Sequence, residues 1–128
     1  MKSANKPPLS GPHKEFFADG SLSGEGRFKN GKRHGKWTFY YKGGGSKAVG
    51  KYVHGEVDGF WEWWRENGRR LQSGAFERGK QTGVWKRYYE NGQLWDEGVY
   101  AGGKKVGEWK VYEKSGELKK RTVYKGRK

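Results

Sequence analysis

The sequence predicts an all-β fold: an elongated, single-layer antiparallel meander of about ten strands, built from 24-residue β-hairpin repeats. Three observations predict it. Tryptophan recurs at Trp37, Trp61, Trp85 and Trp109. Glycine recurs in the same register, at Gly35, Gly59, Gly83 and Gly107 and again at Gly26, Gly50, Gly74 and Gly98. Aromatic-rich runs flank Asn67-Gly68 and Asn91-Gly92, a strong short-range hairpin signal. A fixed period of this kind is the mark of a repeat architecture.

The composition needs such an explanation. A chain of 128 residues has room for one domain. Leu, Ile, Val and Phe total only 19, and the formal net charge is +14, values that ordinarily read as disorder. Seven Trp, eight Tyr and six Phe argue for order instead, with rings packed on backbone in place of an aliphatic core. No apolar run approaches the roughly 18 residues of a membrane span. There is no Cys, hence no disulfide and no thiolate, and no signal peptide is visible. A cytoplasmic protein is the expectation.

Residues 1–13 hold all three prolines and read as an extended leader. The repeat domain follows over 14–128, in copies at 14–37, 38–61, 62–85 and 86–109, with a partial copy at 110–128. Each copy supplies two strands. The Asn-Gly turn is expected to be a two-residue type I′ loop, and the connection at Lys29–Gly35 a longer one. A loop at Asn91-Gly92 then sets Trp85 opposite Gly98, Tyr100 opposite Gly83 and Tyr89 opposite Leu94. It also pairs Arg87 with Asp96 and Lys86 with Glu97, charges that played no part in choosing the register.

Each large ring therefore faces a glycine across a strand, because a ring covers backbone only where no Cβ blocks it. One face carries Trp37, Trp61, Trp85 and Trp109 with Tyr52, Phe76 and Tyr100, and with Phe39, Trp63 and Tyr89 beside them. The other carries a stripe of Tyr40, Trp64, Tyr88 and Tyr112 among charges. That stripe reads either as packing between adjacent hairpins or as a contact surface.

The stretch Glu25-Gly26-Arg27-Phe28-Lys29-Asn30-Gly31-Lys32-Arg33-His34-Gly35 resembles the MORN repeat. The segments Tyr88-Tyr89-Glu90-Asn91-Gly92-Gln93-Leu94 and Asp96-Glu97-Gly98-Val99-Tyr100 resemble its bacterial variant in the YwqK-like antitoxin family. The resemblance covers residues 14 to 128. It departs at Gly43-Gly44-Gly45 and at Thr122. It implies a twisted β scaffold, without enzymatic activity or cofactor, that binds proteins or acidic membrane lipids; the antitoxin association implies a toxin protein as partner.

Repeated residues hold the sheet, so non-repeated ones are the better candidates for recognition. Phe60, Trp63, Trp64 and Leu71 cluster around the start of the third copy, Trp95 is an extra ring, and Tyr88 lies on the stripe. Lys104, Lys105, Lys119, Lys120 and Arg121, with Lys32, Arg33 and Lys80, are expected to form a basic stripe. The expected partner is a protein with an acidic surface. The alternative is an anionic polymer or surface, either nucleic acid or acidic phospholipid. His13, His34 and His54 fall in three different repeat columns with no accompanying carboxylate column, so neither a metal nor a catalytic site is expected. A monomer or face-packed dimer is expected, with basic residues guarding the last edge strand.

Overall fold

Alternating ring and glycine positions bounded by Gly-containing turns fold into strands throughout. The computed structural model describes residues 8–125. Ten strands run in chain order: β1 (Gly11–Phe16), β2 (Leu22–Lys29), β3 (Lys32–Tyr40), β4 (Ser46–Val53), β5 (Glu56–Trp64), β6 (Arg70–Glu77), β7 (Lys80–Tyr88), β8 (Leu94–Ala101), β9 (Lys104–Tyr112) and β10 (Leu118–Tyr124). They form one open antiparallel sheet in which each strand pairs only with its sequence neighbours. No helix occurs among the described residues. Most of the predicted leader and the last three residues of the basic C-terminal run lie outside them.

The leader ends earlier than expected. β1 begins at Gly11 and pairs Pro12 with Arg27, which an edge strand tolerates because one row of its N–H groups has no ladder to serve.

The two connections exchange the roles expected of them. Lys29 pairs directly with Lys32, so Asn30-Gly31 is the whole loop. Asn30 and Gly31, His54 and Gly55, Arg78 and Gly79, and Gly102 and Gly103 all take positive φ, the type I′ geometry. The Asn91-Gly92 turn is one residue longer. The Tyr89 carbonyl accepts from the Gly92 N–H at 2.9 Å, the Tyr89 N–H donates to the Gln93 carbonyl at 2.8 Å, and only Gly92 has positive φ. Asn91 is there for its side chain, whose Oδ1 accepts the Gln93 N–H at 2.9 Å.

The longer loop shifts the first pair, so Leu94 opposes Tyr88 and not Tyr89. A β-bulge at Trp95 then restores the expected register: Arg87 with Asp96, Lys86 with Glu97, Trp85 with Gly98 and Gly83 with Tyr100. The same slip recurs in the other hairpins, leaving Ser23, Lys47, Leu71 and Lys119 unpaired.

The rings use the glycines differently from the expectation. Trp85 does pair with Gly98, but its ring lies on Gly74 of the preceding hairpin. Trp37 lies on Gly26, Trp61 on Gly50 and Trp109 on Gly98. A Cβ on Gly98 would sit 2.0 Å from the Trp109 ring. Each indole N–H donates to the carbonyl just past that glycine: Arg27 at 2.9 Å, Lys51 at 3.1 Å, Ala75 at 3.0 Å and Val99 at 3.1 Å. Each hairpin is thus locked on the one before it. Thr122 stands in the column of these glycines in β10.

Candidate functional site

The Trp face is a packed aromatic ladder. Phe28, Trp37, Tyr52, Trp61, Phe76, Trp85, Tyr100 and Trp109 meet edge to face with centroids 5.1–6.5 Å apart. Such pairs contribute about 0.5–1.5 kcal/mol each beyond burial. His13 occupies the Trp column in the first hairpin and meets Phe28 in the same way. A second row lies between successive indoles: Phe39 stacks between Trp37 and Trp61, and Trp63 between Trp61 and Trp85. Trp63, singled out for recognition, is therefore placed as a member of the packed ladder.

That second row breaks in the next copy, where Arg87 stands. Its guanidinium is drawn to the buried Asp96 carboxylate, with contacts of 2.7 and 3.1 Å, and lies 4.0 Å from the centroid of Trp95. Those hydrogen bonds hold the Arg87 guanidinium above its ordinary pKa. Trp95, aimed by its bulge, stacks on Tyr89 at 5.2 Å. Beside this Arg87–Asp96 pair a cleft of about 310 Å³ remains, lined also by Gln72, Gln81, Trp85, Tyr100, Lys105 and Trp109. A second cleft, about 430 Å³, lies beside Phe39, Tyr52, Trp61 and Trp63.

The opposite face changes character along its length. Two neighbouring columns run Pro12, Lys36, Phe60, Val84, Glu108 and Arg27, Lys51, Ala75, Val99, Val123, so basic residues give way to apolar ones before Glu108 interrupts the row ahead of Val123. Lys36 pairs with Lys51, Phe60 with Ala75 and Val84 with Val99, so these residues are adjacent in space. Phe60 is 60% exposed, Val84 56%, Val99 38% and Val123 71%. The sequence reading found Phe60 but missed the valines. Reading down the exposed columns, and not only the aromatic ones, reveals them.

The Tyr40, Trp64, Tyr88 and Tyr112 stripe borders this row and is half-buried. Tyr40 donates to Glu25 at 2.6 Å and Tyr112 to Glu97 at 2.9 Å. These carboxylate bonds push both phenols above the ordinary value of 10.0. Successive hairpins are further tied by the Tyr41 hydroxyl to the Trp64 carbonyl, Arg65 to Tyr88 and the Tyr89 hydroxyl to Tyr112. Tyr89 thus serves as a tie between hairpins.

The model of the MORN repeat variant matches residues 9–30, 81–101 and 105–125, half of the chain. The chain belongs to the MORN repeat variant family. Comparison with curated proteins gave no match. Residues 31–80, between the first two matched MORN segments, keep the same pairing of Trp37 with Gly50 and Trp61 with Gly74 despite Gly43-Gly44-Gly45.

The MORN sheet separates the predicted basic residues. Lys32, Arg33, Lys80, Lys104 and Lys105 flank the two-residue turns on one long side. Lys119 and Lys120 begin β10 on the opposite long side, so no single stripe joins the two groups. Arg121 is held by Glu108 at 2.7 Å, and Arg33 by Glu15 at 2.9 Å. Leu71, at its bulge, is half-buried. His34 and His54 approach to 5.8 Å, but no group of three metal-ligating side chains forms among the described residues. Among the described residues no helix is long and apolar enough to cross a membrane.

Proposed function

We propose that this MORN repeat protein is a non-enzymatic scaffold that binds another protein across the face bearing Phe60, Val84 and Val99. The observation that carries this reading is the exposed apolar row set in a strongly basic chain. Contiguous exposed apolar surface rimmed by polar groups marks protein interfaces. Valines offer phosphate nothing. Lys36 and Lys51 continue the row, so the partner that fits has an apolar ridge with an acidic end. Phe60 anchors at the centre, where buried rings carry most interface energy. Trp64 and Tyr88 form the border, and the lysines steer encounter. The antitoxin association of the family makes a toxin protein one such partner.

The test is capture from a native lysate with and without nuclease, followed by purification of the captured protein and surface plasmon resonance. Phe60→Ser is expected to raise the off-rate at least ~10-fold, the loss of a central ring anchor. An unchanged off-rate overturns the assignment of this face.

Lys80, Lys104 and Lys105, which have no acidic partner among the described residues, and the net charge of +14 support a second reading, an anionic polymer or acidic phospholipid surface. Binding of that kind falls linearly in log salt with a slope of several units.

A further inference from the structure

The row Phe39, Trp63, Arg87 is one repeat column in which two copies place a ring between successive indoles and the third does not. Trp63 stacks 5.8 Å from Trp61 and 5.7 Å from Trp85. Arg87 vacates the equivalent place between Trp85 and Trp109, because Asp96 and Trp95 hold its head to one side. Both holding residues are peculiar to this copy: the partner of Phe39 is Ala48 and that of Trp63 is Gln72, and the bulge positions there are Lys47 and Leu71. The vacancy is thus built by three substitutions acting together.

From this we infer that the cleft between Trp85 and Trp109 is a receptor for an aromatic side chain of a protein, one flanked by a carboxylate. It is a second site, on the face opposite the apolar row. Its volume of about 310 Å³ is roughly twice the ~150 Å³ that admits benzene to a protein cavity, room for one bicyclic ring. Trp85, Tyr100 and Trp109 supply aromatic walls, Gln72 and Gln81 supply amides, and the Arg87–Asp96 pair lines one side. The carboxylate follows from charge. Arg87 is already neutralised by Asp96, whereas the Lys105 amine, 4.7 Å over the Trp109 ring, has no acidic partner among the described residues. A side-chain ring is the favoured occupant because the two rings that fill the equivalent places are a benzyl and an indole borne on peptide backbone.

The test uses the full chain labelled with ¹⁵N, and acetyl-Trp-Glu-amide as the probe. The indole N–H signals of Trp85 and Trp109 are expected to shift saturably, while those of Trp37 and Trp61 stay in place. Acetyl-Trp-Gln-amide is expected to bind more weakly to wild type but equally to Lys105→Gln. The double variant Arg87→Phe with Asp96→Ala copies the Phe39–Ala48 pair, fills the cleft from within, and is expected to weaken the probe at least ~10-fold. Uniform shifts of all four indoles, or a double variant that binds as wild type does, overturn the inference. An oligothymidylate that moves the same two signals at lower concentration than the dipeptide also overturns it, in favour of a nucleobase. Phe60→Ser is expected to leave the dipeptide shifts intact, so failure here and failure of the apolar face are read separately.

Discussion

Gly98→Ala places a single methyl where the sheet has no room. The new Cβ would stand 2.0, 2.2 and 2.4 Å from three atoms of the Trp109 indole, against 3.4 Å or more in ordinary contact. The ring must rise by about 1.4 Å, or the strand must bend away. Either response breaks the 3.1 Å bond from the indole N–H to Val99 and loosens the 5.1 Å contact with Tyr100. Overpacking costs about 1–3 kcal/mol. A buried donor left unpaired adds about 1–3 kcal/mol, part of which water recovers. The expected total is about 2–4 kcal/mol, a large share of the 5–15 kcal/mol typical of a domain. Urea unfolding followed by circular dichroism measures it. Gly43→Ala is the control, because nothing lies within 4 Å of its Cβ, and it is expected within about 0.5 kcal/mol of wild type. A Gly98→Ala midpoint as close to wild type as that of Gly43→Ala would refute the packing of each indole on the preceding hairpin.

Three further outcomes are expected. Trp85→Ala should cost about 3–5 kcal/mol and Arg121→Ala clearly less, since both Arg121 and its partner Glu108 are exposed; denaturation curves that rank them the other way contradict the ladder. Arg78→Asn should stabilise by up to about 1 kcal/mol, because Arg78 sits at φ 52° in a type I′ turn and Asn tolerates that region; thermal melts decide it. Tyr40 and Tyr112 hold protons more tightly folded than unfolded, so their contribution is whole below the ordinary value of 10.0 and is lost as pH rises through the higher folded value. Stability should therefore fall on the alkaline side, and Tyr112→Phe should flatten that fall; identical alkaline profiles would remove the Glu97 bond from the account.

Much of the fold was legible in the sequence because the repeat writes it several times. The pairing of Trp85 with Gly98 and of Arg87 with Asp96 followed from a turn residue and a column. It came out right although the turn was wrongly typed, since a three-residue loop and the bulge at Trp95 offset one another. A bulge leaves no signature in a 24-residue period, because it repeats with the period. Which hairpin an indole covers was equally hidden: Trp85 has glycines on both flanking strands, and only the backbone slip near each positive-φ glycine aims the ring backward. Trp63 looked irregular in size but belongs to the stacked row with Phe39. The irregularity that matters is at Arg87, a change of chemistry in a ring column. The apolar row was readable in principle, as Lys36 and Lys51 give way to Phe60, Val84 and Val99 in the same columns, but it required reading positions with no glycine or tryptophan to mark them.

The central claim is that an apolar face, not the net charge, binds a protein. Its most direct test is the equilibrium affinity of the purified partner for wild type and for Val84→Asp with Val99→Asp. Both residues are exposed, so the variant is expected to fold; circular dichroism checks that. The measurement runs between about 50 and 200 mM salt, the range over which phosphate-dominated binding loses roughly 10³–10⁵ in affinity. The account predicts a loss of at least ~100-fold in the variant and a change of less than ~10-fold across the salt range for wild type. An unaffected variant together with a steep linear fall in log salt would contradict it.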